Sequence, residues 1–256
     1  MARGLPGADS STPVTGEMIE SATALLGATP AFWGRYFTSV ATTGTVEYRH
    51  AQENAPLNQA GVRLLPIARQ TDRVNGSMDR GIADGIANAR DFITTFTSGA
   101  LASQGGQFLM FLDVEGPPAP SLSQDYFTGW AQGLSQESLA ASGGSVQILP
   151  CVYGTQSDVK TWSAVAGAMA TGAECHGAWI ARFRTGKCTM GDWDPSIVTP
   201  ASPVPFPCPI LAWQYAGNCL EGRIDCSQTN PNIDARSQLL AFLVLPPGAH
   251  QMTQAT

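Results

Sequence analysis

Short apolar runs alternate with longer stretches of helical character along most of the chain. Seven runs rich in β-branched or aromatic residues predict strands, at 4–9, 32–37, 62–68, 107–113, 146–153, 178–183 and 210–215. Four longer stretches, at 16–26, 79–97, 123–141 and 157–171, predict helices between them. This alternation is typical of βα units that build a parallel sheet.

Several of the predicted strands are almost continuously apolar, as at 108–112, and strands covered on both faces have this composition. Seven or eight strands in 256 residues fit a closed barrel better than an open sheet. No G-x-G-x-x-G sequence follows an early strand, which argues against a nucleotide-binding sheet. We therefore expect an α/β fold: one irregular (β/α) TIM-type barrel with mostly parallel strands. A single domain over 1–256 is expected, with its core at about 4–245 and a flexible tail at 246–256.

Composition narrows the possible partners. Charged residues make up 13% of the chain, and 14 basic against 20 acidic residues give a net charge of −6. Nucleic acids and anionic membranes are bound by clustered Lys and Arg, which are scarce here. No apolar stretch approaches the roughly 20 residues of a membrane span. No secretory signal is visible, and no cofactor is expected.

Six cysteines lie in the second half of the chain: Cys151, Cys175, Cys188, Cys208, Cys219 and Cys226. They form no C-x-x-C pair and have no histidine at ligand spacing, so we predict no metal site. Cys219 and Cys226 flank a short glycine-containing loop and are the favoured disulfide pair. The alternative is that several cysteines are buried free thiols.

The most distinctive local feature is a pair of carboxylates, Asp113 and Glu115, that ends the apolar strand at 107–113. Side chains at i and i+2 of a strand point to the same side. Strand ends form the active-site floor of a barrel, and glycoside hydrolysis needs two facing acids, one of them protonated near neutral pH. The alternative is a solvated strand end that leads into a turn at 116–118.

Polar and aromatic residues stand at or near the other predicted strand ends, and this mixture suits a carbohydrate, whose rings stack on aromatics and whose hydroxyls need many partners. Asp9 ends the first strand, Asp225 follows the last one, and Gln70 closes the third with Arg69. The substrate-binding candidates among them are Arg35, Tyr153, Arg182, Gln214 and Tyr215.

Four sequence blocks occur in the order seen in glycoside hydrolase family 25, the lysozyme-like muramidases. They are Leu112-Asp113-Val114-Glu115, Pro150-Cys151-Val152-Tyr153, Ala178-Trp179-Ile180-Ala181-Arg182-Phe183, and Ala212-Trp213-Gln214-Tyr215 followed by Asp225. The chain resembles this family over roughly 4–230. It is most similar to a bacterial group of glycoside-hydrolase-like barrels, through Gly7-Ala8-Asp9, Pro66-Ile67 and Asp84-Gly85.

The resemblance implies an enzyme that cleaves the β-1,4 bond after N-acetylmuramic acid in peptidoglycan, outside the cell that produces it. Glu115 would be the general acid, and Asp113 would assist by its charge, orienting the acetamido group of the substrate as nucleophile. Asp9 and Asp225 would complete an acidic rim. Trp179 and Trp213, with the tyrosine at 153, match aromatic residues that lie near or beneath the cleft in the family, and both would join the substrate-binding residues.

Two departures from the family pattern leave a second function open. The family has Asp-x-Asn where this chain has Asp225-Cys226-Ser227, and the loops at 38–56 and 184–209 are long. The alternative is therefore an inactive glycosidase-like barrel that serves as a glycan-binding or structural module of a phage particle or secretion apparatus.

Overall fold

Eight strands form a closed barrel in the order β1 to β8. The computed structural model describes residues 2–37, 47–69, 72–115, 120–184, 186–198, 206–232 and 239–248, and every structural statement concerns these residues. The strands are β1 Pro6–Asp9, β2 Phe32–Phe37, β3 Arg63–Ala68, β4 Gln107–Val114, β5 Gln147–Thr155, β6 Ala178–Ala181, β7 Ile210–Asn218 and β8 Ile224–Thr229. The predicted α/β barrel with mostly parallel strands is confirmed.

Helices connect most of the strands and lie outside the barrel. They are α1 Gly16–Leu26, α2 His50–Gln59, α3 Met78–Phe96, α4 Ser98–Ala102, α5 Gln124–Ala141 and α6 Val159–Ala170, with 3₁₀ turns at Pro195–Val198 and Leu240–Phe242. Hydroxyl or carboxylate side chains cap five of them by accepting from the first turn, namely Thr15, Ser77, Thr97, Ser123 and Asp158. No helix in the described ranges is long and apolar enough to cross a membrane.

The sequence did not predict strand β8, which runs antiparallel to both of its neighbours. Only residues 219–223 separate it from β7, and so short a connection cannot cross over to a parallel neighbour. The chain reverses through positive φ angles at Asn218, Leu220, Glu221 and Gly222. The start of β8 therefore meets the ends of the other strands, and Asp225 pairs with Asp9.

Strand side chains alternate between the barrel interior and an outer layer beneath the helices. Leu109 and Phe111 of β4 pack inside the barrel with Tyr153 and Trp179. Their chain neighbour Met110 packs in the outer layer with helical residues such as Trp130. Each strand therefore presents alternate residues to two different environments, and at the strand ends only the inward set can reach the barrel mouth.

Helices α3 and α5 approach each other through two glycines from each helix. A Cβ at Gly81 or Gly85 would overlap backbone of α5, and one at Gly129 or Gly133 would overlap backbone of α3. The glycines allow the helix backbones to touch, and the pair lies on the barrel with α5 against β5 and α3 against β2.

Replacing Gly85 by alanine is expected to destabilise the fold by about 1–3 kcal/mol, because the new methyl group overlaps the Trp130 carbonyl oxygen and the helices must separate. Urea unfolding measures the change. Gly99→Ala in α4 is the control, since no atom lies within 4 Å of its Cβ; it should be neutral or stabilising by up to about 1 kcal/mol. Equal effects of the two substitutions would contradict the close helix contact.

The predicted Cys219–Cys226 disulfide is wrong. Cys219 is joined to Cys188 of the loop after β6, whereas Cys226 is a buried free thiol, as are Cys151, Cys175 and Cys208. The hairpin register explains the error, because Cys219 lies opposite Ile224 and Cys226 lies opposite Ala216. The alternative of several buried thiols is the correct one for four of the six cysteines.

The segment 38–56, expected to be a loop, contains the start of helix α2 at His50, so that expectation is wrong for residues 50–56. Residues 38–46 lie outside the described residues, as do Gln70, the turn at 116–118, residues 199–205 and most of the predicted tail (249–256). The described part of the 184–209 loop contains the 3₁₀ turn at Pro195–Val198 and the buried Trp193.

Candidate active site

A cavity of about 330 Å³ opens where β1, β2, β3 and β4 end and β8 begins. It is lined by Asp9, Ser10, Ser11, Tyr36, Arg69, Glu115, Asn218, Gly222, Arg223, Ile224 and Asp225. Three of the four predicted acids therefore face one space, and the fourth, Asp113, lies directly beside it in β4. The carboxyl ends of strands are where barrels of this type hold their chemistry.

Asp9 and Asp225 form a pair across the β1–β8 ladder. Gln214 Nε2 donates to Asp9 Oδ2 at 3.0 Å and to Asp225 Oδ2 at 3.4 Å, and the Asn218 N–H donates to Asp225 Oδ1 at 2.6 Å. Burial, followed by the Asp225 charge, raises the pKa of Asp9 well above its ordinary value. Burial also raises the pKa of Asp225. The pair therefore holds a proton to higher pH than isolated aspartates do.

Glu115 follows β4 directly and is the acid whose protonation suits a proton donor. Burial, followed by the Asp113 charge, raises its pKa to about 7, and a hydrogen bond with Tyr153 opposes this rise. Asp113 is 3% exposed, and its Oδ1 accepts from the Glu115 N–H at 3.0 Å. Asp113 thus fixes the backbone of Glu115 and also favours the protonated form of its side chain.

Tyr153 and Gln214 join the two groups of acids beneath the cavity. The Tyr153 hydroxyl donates to Gln214 Oε1 at 2.8 Å and is the hydrogen-bond partner of Glu115. The amide of Gln214 then donates to Asp9 and Asp225. A continuous polar chain therefore runs from Glu115 to the aspartate pair, so the protonation of one acid is coupled to the others.

Trp179 supports this chain from below. Its ring lies 4.2 Å from that of Tyr153, centroid to centroid, and its Nε1 donates to Ser227 Oγ at 3.2 Å. Both aromatic side chains are almost fully buried. Tyr153 and Trp179, predicted to bind substrate, thus lie under the cavity floor.

Arg35 is not brought to the cavity. It precedes Tyr36 in β2, so its side chain enters the outer layer, where it is fully buried. Its guanidinium forms a two-point ion pair with Glu53 of α2 at 2.7 and 3.0 Å and donates to the Ser10 carbonyl. The inward residue of that strand end is Tyr36, and we therefore no longer assign Arg35 to the substrate-binding set.

Trp213, Tyr215 and Arg182 are also outside the cavity lining. The rings of Trp213 and Tyr215 pack in the outer layer, where the Arg184 guanidinium stacks on both. Arg182 is partly exposed and pairs with Asp194 of the following loop at 3.6 Å. Only Gln214, between the two aromatic residues, points inward.

Residues in and beside the β7–β8 turn complete the cavity wall, and they could not be predicted because β8 itself was not. Asn218, Gly222, Arg223 and Ile224 belong to this group. Tyr36 and Arg69 stand at predicted strand ends, but neither was among the predicted substrate-binding residues. Both faces of β2 are buried, so its sequence pattern does not single out Tyr36 as the inward residue.

No family model matches the sequence, and no curated protein matches it. Among solved structures, the fold is similar to an uncharacterized B. stearothermophilus protein, with a TM-score of 0.67 and 22% identity over 94% of this chain and 100% of that one. It is also similar to the Clostridium perfringens spore cortex lytic enzyme SleM, with a TM-score of 0.53 and 15% identity over 90% of this chain and 68% of that one. At these identities the similarities show a shared fold.

Proposed function

We propose that the protein is a glycoside hydrolase and that bacterial peptidoglycan is its substrate. The observation that supports this most is Glu115, an acid with a pKa of about 7 that faces a cavity beside a second carboxylate, Asp113. Glycosidases use such a pair, one member protonated and the other charged. The barrel shared with a spore cortex lytic enzyme makes the bacterial cell wall the first substrate to test.

In the proposed reaction, Glu115 donates its proton to the glycosidic oxygen as the bond from that oxygen to the anomeric carbon breaks. The charge of Asp113 stabilises the oxocarbenium character of the sugar and orients the substrate's acetamido group, whose oxygen attacks the anomeric carbon. Water then opens this intermediate, and Glu115, now a carboxylate, takes a proton from that water. The products are two shorter glycans, one with a new reducing end.

Asp9 and Asp225 have a supporting role in this mechanism. The pair faces Glu115 across the cavity and is held by Gln214, which also contacts Tyr153. The charge of Asp225 contributes to raising the pKa of Glu115 and so helps to keep the acid protonated. Asp9 and Asp225 would also hydrogen-bond the hydroxyls of a bound sugar.

We further propose that the protein works outside the cell that produces it. The Cys188–Cys219 disulfide fits an oxidising compartment, because thiols are kept reduced in most cytosols. A peptidoglycan substrate would require the same location.

Incubation with purified peptidoglycan tests the proposal. The wild-type protein is expected to release new reducing ends, with chitin and cellulose as comparison polysaccharides. Cleavage of another glycan instead of peptidoglycan would support the assignment as a glycoside hydrolase and would change the proposed substrate. Binding to peptidoglycan with no product after prolonged incubation would overturn the enzymatic proposal and favour a glycan-binding module of a phage particle or secretion apparatus.

The activity is expected to decline as the pH rises through about 7, because Glu115 must be protonated to act and its pKa is raised to about 7. In Asp113→Asn the residual activity should begin to decline at a lower pH than in the wild type, since the Asp113 charge helps to raise the pKa of Glu115. Profiles of kcat/KM against pH measure both effects. If kcat/KM of the variant declines at the same pH as that of the wild type, deprotonation of Glu115 is not the cause of the decline.

A further inference from the structure

Arg69 is a cation within the acidic cavity, directly after β3. It lines the cavity together with Glu115 and Asp225. Its Nε is buried and has no hydrogen-bond partner among the described residues. None of the ion pairs found in that part of the chain includes Arg69. A buried donor without a partner is costly, so Arg69 lacks the protein acceptors that an arginine held for structural reasons usually has.

Arg69 is partly exposed and lines the cavity, so the outer part of its guanidinium edge can reach a ligand although Nε is covered. The guanidinium carbon lies 5.0 Å from the centroid of the Tyr36 ring, so one face of the group is stacked. Stacking uses the face, whereas the N–H groups project from the edge in the plane of the group. Tyr36 therefore holds the guanidinium in place without using its hydrogen bonds.

Arg35 shows what the same side chain does in this protein when its function is structural. Its donors are used by the two carboxylate oxygens of Glu53 and the Ser10 carbonyl. Arg69 has no such set of protein partners among the described residues, although three acids line the same cavity. A ligand that enters the cavity can therefore supply the missing acceptors.

We propose that Arg69 binds a carboxylate carried by the sugar chain, so that the preferred substrate is an acidic glycan. The proposal rests on the proposed function, because it takes the ligand of this cavity to be a glycan. A planar carboxylate matches the edge of a guanidinium at two points. A doubly charged phosphate would be repelled more strongly by Asp9, Glu115 and Asp225 than a singly charged carboxylate.

This chemistry separates two forms of cell-wall glycan. N-acetylmuramic acid carries a lactyl carboxyl group, which is an uncharged amide where a stem peptide is attached and a carboxylate where the peptide has been removed. Arg69 thus favours peptide-free strands over intact ones. Chitin has no carboxyl group and therefore offers Arg69 no carboxylate to bind.

Binding of matched oligosaccharides tests the role of Arg69. Calorimetry with the Glu115→Gln protein, which should not cleave them, compares a peptide-free tetrasaccharide of alternating N-acetylglucosamine and N-acetylmuramic acid with the same compound reduced to the primary alcohol. The carboxylate form is expected to bind about 10- to 100-fold more tightly, the range for a hydrogen bond to a charged group. Equal affinity for the two forms would overturn the proposal, and this comparison leaves Arg69 unmutated.

Substitution supplies the second arm of the test. Adding Arg69→Gln to the same protein should remove the preference and leave affinity for the reduced form within about twofold. Arg223→Gln is the matched control, because Arg223 lines the same cavity but is exposed, with its Nε bonded to the Leu220 carbonyl. It should retain the preference. A preference that survives Arg69→Gln would assign carboxylate binding to another residue.

Failure of this proposal differs from failure of the proposed function. If the wild-type protein cleaves the free and reduced strands with equal kcat/KM, the enzyme stands and the role of Arg69 is lost. If the protein binds none of the strands and releases no reducing ends, both proposals are overturned.

Discussion

Replacing Glu115 by glutamine is expected to lower kcat/KM for glycan hydrolysis by about 10²- to 10⁴-fold, the usual contribution of a general acid. Glutamine has nearly the same shape but no proton that it can give to a leaving oxygen. Release of reducing ends from peptidoglycan measures the loss. The thermal unfolding temperature should stay the same or rise, because the substitution removes a partly buried carboxylate beside Asp113.

The control is Glu20→Gln, which makes the same chemical change at an exposed position of α1. It should leave kcat/KM within about twofold of the wild type, since surface substitutions away from a site have small effects. Full activity of Glu115→Gln would end the assignment of this residue as general acid. A loss of activity with a collapsed unfolding transition would indicate a folding defect, and Asp113→Asn would then be the more informative variant.

Replacing Glu53 by glutamine is expected to destabilise the fold by about 3–5 kcal/mol, because it leaves the charge of Arg35 buried without its partner. Both side chains of the pair are 0% exposed. Glu53 also accepts from the backbone N–H groups of Val14, before α1, and of Arg49, at the start of α2, so it links α2 to the segment before α1. Urea unfolding monitored by tryptophan fluorescence measures the loss.

The exposed pair formed by Arg90 and Glu137 provides the comparison. The Arg90 side chain is 65% exposed, and Glu137→Gln should cost no more than about 1 kcal/mol. Replacing Arg35 and Glu53 together by methionine should restore part of the stability, because no charge is then left unpaired. The recovery should be incomplete, since the Val14 and Arg49 N–H groups lose their acceptor. Equal effects of Glu53→Gln and Glu137→Gln would contradict the burial of the first pair.

Several of the seven predicted strands could be recognised because a strand covered on both faces is apolar at almost every position. β8 could not be predicted in this way. Its inward positions include Asp225, beside the cavity, and Ser227, which accepts from Trp179. A strand with polar residues inside and a cysteine outside has the composition of a loop, and only its pairing with β1 and β7 shows what it is.

The acids at the strand ends could be located from the sequence. The sequence does not show whether the side chains near them point into the barrel or away from it. In β4 the i and i+2 rule applied directly to Asp113 and Glu115. In β2 and β7 both faces are buried, so no apolar period shows which of Arg35 and Tyr36, or of Trp213 and Gln214, points into the barrel. The register of the closed barrel supplies that information.

The reversed direction of β8 has a consequence for engineering the specificity of this protein. In a regular (β/α)₈ barrel, changing the wall of the active site means rebuilding loops that lead into helices. Here a tight turn at residues 219–223 carries part of the wall, and its length sets which residues of β8 face inward. One residue inserted after Gly222 would place Ile224 where Asp225 now stands, whereas exchanging Arg223 would alter the rim alone. A library confined to this hairpin would therefore sample substrate preference without disturbing any helix.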